Sequence, residues 1–123
     1  MDRLSKVACM FCGAFYSLTG GLLFLVPGFF FHAVAPIGPY NRHYAVDLGS
    51  FLLPLGVFLI VAAWKAEWSQ PVVGLAAFGS FLHLLSHLRD ASLSSRAIAA
   101  DVFFMVIAGL LFVAFWTCGR QAS

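Results

Sequence analysis

The chain has 123 residues, of which 62% are hydrophobic and only 10% charged, with a mean hydropathy of +0.94. A water-soluble domain carries about 25% charged residues, so this composition excludes an ordinary soluble fold and predicts a lipid bilayer as the surrounding solvent. A net charge of +2 with no basic run gives nucleic acid no footing, and three cysteines in apolar surroundings do not make a secreted disulfide framework.

Four apolar runs are visible, each near the ~20 residues that cross a hydrocarbon core. They predict an all-α integral membrane protein: a single domain over 1–123, an antiparallel four-helix bundle with helices over about 7–31, 44–64, 71–88 and 97–118.

Arg3 and Lys6 precede the first run as they would in a signal peptide. The run continues to Phe31, longer than such a peptide's apolar core, and the small-residue triplet Ala33-Val34-Ala35 meets Pro36, so a retained helix is expected. Gly13, Ser17, Gly20 and Gly21 form a small-residue stripe that lets another helix approach closely. Pro27 and Gly28 should kink or end the helix, and Ala35 to Asn41 is turn chemistry.

In the second run Pro54 is tolerable because neighbouring helices can re-satisfy the freed carbonyl, and Gly49 and Gly56 add points of close approach. Trp64, Lys65, Glu67 and Trp68 read as a membrane interface. The third run opens on Pro71, expected in the first turn. Gly74, Ala76, Ala77, Gly79 and Ser80 predict that this helix is the most enclosed. Ser94 or Ser95 is the expected N-cap of the fourth helix, and Gly119 with Arg120 its expected end.

Polar side chains collect at two places in this apolar chain. Asn41, Arg42, His43 and Asp47 open the second run; His83, His87, Arg89 and Asp90 close the third. His43 with Asp47, and His83 with His87, have the spacing that puts two side chains on one helix face. If helices two and three are antiparallel neighbours, His43 lies at the depth of His87 and Asp47 at that of His83. Asp101, about a turn into helix four, reaches the same layer.

Ionisable groups inside a membrane span are costly and point to function. Three imidazoles and a carboxylate suit one divalent ion, so His43, Asp47, His83 and His87 are the candidate ligands for zinc, iron or copper. Asn41, Arg42 and Asp101 are the candidate cofactor contacts around them. Haem, held by His43 and one of the pair, ranks lower because it leaves the other histidine idle.

Two other readings compete: a proton relay or polar-ligand pocket, and plain pairing of helix-end residues with one another and with headgroups. Cys9, Cys12 and Cys118 lie on the opposite membrane side. A thiolate copper(I) site is conceivable there, but packing as small apolar residues is the preferred reading. His32 reads as interfacial. No phosphate loop or Ser/His/Asp arrangement is present, and the residues leave open whether the chain is an enzyme.

The stretch Gly38-Pro39-Tyr40-Asn41-Arg42-His43-Tyr44-Ala45-Val46-Asp47-Leu48-Gly49 resembles a group of small bacterial four-helix membrane proteins of uncharacterised function, notably from actinobacteria. In these a Gly-Pro-Tyr-Asn-x-His-x-x-x-Asp-x-Gly motif opens the second helix and a His-rich end closes the third. More distantly the layout is similar to DoxX-like four-helix proteins. The resemblance implies a fold and a bacterial inner-membrane location, marks Asn41, His43, Asp47, His83 and His87, and transfers no activity.

An even number of spans puts both termini on one side, with Arg3, Lys6, Lys65 and Arg120 there and Arg42, Arg89 and Arg96 opposite. The small excess favours cytoplasmic termini. The expected function is a membrane protein with a His/Asp metal or cofactor site at the outer end of helices two and three. The alternative is a non-catalytic accessory subunit or small-ligand binder, as a homo-oligomer or within a larger membrane complex.

Overall fold

The computed structural model describes residues 1–36, 39–89 and 95–122. Among them the chain forms five helices: α1 (Arg3–Leu25), α2 (Pro27–Ala33), α3 (Arg42–Ala62), α4 (Ala66–Arg89) and α5 (Ser95–Ala122). Four of these, all but the short α2, are long and apolar enough to cross a bilayer, and they pack as an all-α bundle.

Local chemistry explains most of the helix boundaries. Asp2 caps α1, its carboxylate accepting the Ser5 N–H at 2.8 Å. The expected single helix over 7–31 is two. Val26 leaves helical geometry at φ −134° and ψ 56°, and Pro27 restarts the chain as the first residue of α2. Asn41 caps α3 by accepting the Tyr44 N–H at 3.1 Å, so that helix begins at Arg42, two residues before the expected start. It then runs unbroken through Pro54.

The α3–α4 turn is shorter than its polar residues imply. The N–H groups of Trp64 and Lys65 both donate to the Val61 carbonyl at 3.0 Å, and α4 starts at once on Ala66. Pro71 therefore lies inside α4 rather than in its first turn. Gly119 does not end α5, which continues to Ala122. A Cβ there would come within 3.2 Å of Gln70 Nε2, at the end of a flexible side chain on α4. Ser95 is the first helical residue of α5 rather than its cap, and Ser94 lies outside the described residues.

The closest helix pair is α1 with α3. A Cβ on Gly49 would stand 2.7 Å from the Phe24 nitrogen and 2.8 Å from the Gly20 carbonyl oxygen. One on Gly13 would stand 2.9 Å from the Gly56 carbonyl oxygen. The two backbones touch because Gly13, Gly20, Gly49 and Gly56 put no side chain of their own between them. α4 packs mainly on α5, and contacts of α1 with α5 and of α3 with α4 close the bundle.

Cys9, Cys12, Leu59, Val73, Ile107 and Leu111 fill the core. A buried 2.6 Å hydrogen bond between the Tyr16 and Ser80 hydroxyls ties α1 to α4. Because Ser80 also donates to the Ala76 carbonyl, Tyr16 is the donor to Ser80.

The most enclosed span is α1, not α4: 39% of the α1 span is buried against 28% of α4. Gly79 on α4 is exposed, with nothing within 4 Å of where a Cβ would sit. Small residues give close approach only where they share the packed face.

All three tryptophans gather at the end that holds the termini. Trp68 stacks on Phe58 with ring centroids 5.4 Å apart, and Lys6 Nζ lies 5.8 Å over the Trp64 ring. Trp116 is exposed near the end of α5. Amphipathic aromatics with a nearby cation mark the water boundary of a bilayer.

Candidate functional site

At the other end of the bundle the polar residues form two groups. On α3, His43 Nε2 stands 3.3 Å from Asp47 Oδ2, with the two side chains 89% and 57% exposed. The helix advances about 100° per residue, which turns this pair away from the packed seam of Gly49 and Gly56. Asn41 spends its side-chain oxygen on the α3 cap, and Arg42, the first residue of that helix, is exposed.

The second group joins α4 to α5. His87 Nδ1 lies 3.3 Å from Asp101 Oδ1, and these side chains are only 24% and 15% exposed. His83 sits one turn back on α4, its ring centroid 4.8 Å from that of His87. Phe104, one turn beyond Asp101 on α5, lies 4.6 Å from both imidazole rings.

The group follows from local spacing. Four residues on α4 align the two imidazoles. Three residues on α5 put Asp101 and Phe104 on one face, and α4–α5 packing brings the two faces together. Phe104 was not among the residues the sequence singled out. Its signal is the three-residue offset from Asp101, which any of the chain's many phenylalanines could imitate by chance.

His43 and Asp47 therefore do not converge with His83 and His87 on a shared point. Among the described residues no group of three or more His, Cys, Asp or Glu side chains is arranged to hold a metal ion. What the structure does assemble is an imidazole pair on one face, with a carboxylate oxygen 3.3 Å from the outer imidazole's Nδ1. Asp90 and the opening Gly38 of the α3 motif lie outside the described residues.

The other candidates have structural surroundings. Cys9 and Cys12 are wholly buried in the core, Cys118 nearly so, and all three are free thiols. His32 is exposed on α2, its ring 5.2 Å from Phe31 and 6.1 Å from Tyr40, in an aromatic cluster apart from the histidine pair.

The chemistry open to the α4–α5 group is that of an oriented imidazole. With its ring proton on Nδ1, facing Asp101, His87 leaves Nε2 as an acceptor. Comparison with family models, with curated proteins and with solved structures gave no match to this chain.

Proposed function

We propose that this chain is a small integral membrane protein whose working element is the His83–His87–Asp101 group, and that its two imidazoles bind one divalent transition-metal ion. The observation that carries this reading is the 3.3 Å approach of Asp101 Oδ1 to His87 Nδ1 within the α4–α5 packing. A carboxylate in that position holds the ring and its tautomer so that Nε2 can serve as a metal donor. His83, in ring contact with His87 on the same helix, supplies the second nitrogen.

Zinc, iron(II) and copper all accept such donors. A tetrahedral ion takes about four ligands, so two imidazoles leave positions for water or an incoming molecule. A bound ion there would supply Lewis acidity or electron transfer. The chain's own residues have separate tasks: His83 and His87 hold, Asp101 orients His87, and Phe104 covers the rings against water. His43, Asp47, Asn41 and Arg42 stand outside this group. The site would face away from the cytoplasm, with cytoplasmic termini favoured by Arg3, Lys6, Lys65 and Arg120.

A second reading is that the group takes up a proton instead of a metal. It rests on the same contact, because His87 already has the carboxylate that would hold a charged ring and needs no further ligand.

Metal content and a visible spectrum of the protein purified in detergent separate the two. The metal reading predicts about one ion per chain, lost in His83→Ala and His87→Ala variants that remain folded; a Soret band would indicate haem instead. A folded protein that takes up no zinc, iron or copper when offered them contradicts it. If the His87 ring still titrates in that protein, the proton reading stands. If His87 neither binds nor titrates, a non-catalytic accessory or ligand-binding role takes their place.

A further inference from the structure

On the outward side of α3, an ionisable pair sits at a depth where lipid cannot satisfy it. The helix ends on Ala62, beside the Trp64 and Lys65 boundary. From Ala62 to Asp47 it climbs about 22 Å at ~1.5 Å per residue. A hydrocarbon core is ~30 Å thick, so Asp47 stands about 8 Å inside its far boundary. An Asp side chain is too short to reach back over that depth. Yet this side chain is 57% exposed, and with His43 it faces away from the Gly49 and Gly56 seam. Lipid chains supply neither donor nor acceptor, and ionisable groups at such depth pair with protein.

The same face continues below the pair. At about 100° per residue, His43, Asp47 and Pro54 fall within about 40° of one line along α3, with Phe51 and Phe58 beside it. Pro54, Phe51 and Phe58 are all exposed. The face is therefore charged at its outer end and apolar beneath. His43 Nε2 faces its own Asp47 Oδ2 at 3.3 Å. A charged imidazole has a second N–H donor on Nδ1, and a carboxylate has lone pairs for more than one donor.

We propose that this face of α3 is the interface of a homodimer, in which the His43 imidazole of each copy donates to the Asp47 carboxylate of the other. Two copies inserted the same way are related by a two-fold axis along the membrane normal, so α3 meets α3 in parallel with every residue at its own depth. His43 and the second copy's Asp47 are then one turn apart in depth, the offset that the imidazole already spans within its own helix. Two imidazoles and two carboxylates alternate around the axis. Any occupant of this face must carry a base and an acid at matching depth, and a second copy necessarily does. The α4–α5 group lies on other helices, so the dimer and the metal reading can fail separately.

Energy transfer between full chains labelled at the amino terminus with donor or acceptor dye, in phosphatidylcholine vesicles diluted stepwise with lipid, tests it. Wild type should show a dimer that dissociates on dilution. His43→Asp puts two acids on each copy and Asp47→Lys two bases, so each variant alone should dimerise about thirtyfold more weakly or worse. Mixing the two variants should restore transfer, because acid then meets base, and a merely misfolded variant would not recover. Gly79→Leu, at an exposed position of α4, should dimerise like wild type. Helical circular dichroism checks that the variants are folded. Wild type monomeric at every dilution, undiminished transfer in either charge variant, no recovery in the folded mixture, or lost transfer in Gly79→Leu each overturns the proposal.

Discussion

Replacing Gly20 with alanine should force α1 and α3 apart, whereas the same change at its neighbour Gly21 should not. A Cβ on Gly20 would overlap the backbone nitrogen of Leu53 and lie 2.7 Å from its Cα and 2.8 Å from the Leu52 carbonyl carbon, where ordinary contact begins at 3.4 Å. The obstructing atoms are backbone, so no rotamer change relieves them, and the helices must part by roughly 1 Å along the seam. Overpacking of this kind costs about 1–3 kcal/mol, and backbone contact puts Gly20→Ala near the upper end.

Gly21 has nothing within 4 Å of its Cβ position. Gly21→Ala should therefore be neutral, or gain up to about 1 kcal/mol from helix propensity. Equilibrium unfolding in mixed micelles, followed by helical circular dichroism, measures the difference. A gap of about 2–4 kcal/mol between the two variants is expected. Gly20→Ala matching Gly21→Ala in stability would refute the backbone-to-backbone seam.

The same unfolding assay checks three further expectations. The Ser17 hydroxyl oxygen is buried without a hydrogen-bond partner among the described residues, so Ser17→Ala should stabilise the protein by about 1 kcal/mol. Asn41→Ala should cost about 1 kcal/mol through loss of the α3 cap, with Asn41→Asp close to wild type. Asp2 has its folded carboxyl pKa lowered, chiefly by the Ser5 backbone N–H. Its contribution is therefore present above the ordinary value of 3.8 and is lost as pH falls through the folded value. Asp2→Asn should flatten that acid limb of the stability profile.

Depth along the membrane was legible in the sequence; direction around each helix was less so. Apolar run length placed the four spans, and Pro27 announced the break between α1 and α2. The stripe of Gly13, Ser17 and Gly20 and the pair Gly49 and Gly56 were visible as close-approach points, and they do form a seam. That these two stripes face each other, and that Gly79 faces outward, depends on packing that residue counts do not encode. Two helix ends moved where one side chain or hydrogen bond decided them: Asn41 at α3 and Val61 at the α3–α4 turn.

The polar residues teach the same lesson. The two four-residue couples were readable because a helix puts such residues on one face. Matched depth also put Asp101 in the layer of the histidines. But matched depth does not bring side chains together unless their faces oppose. His43 and Asp47 point away from the α1–α3 seam, while His87 turns into α5 and meets Asp101. Which couple would find a partner was set by α4 packing on α5, a tertiary fact.

A zinc-binding isotherm recorded side by side for wild type, His87→Ala and His43→Ala tests the central assignment most directly. The metal reading predicts that His87→Ala, which removes one of the two donors, loses the binding that wild type shows, while His43→Ala leaves the isotherm unchanged. Equal losses in the two variants would return the site to a four-donor cluster shared by α3 and α4. No binding by wild type would remove the metal site altogether.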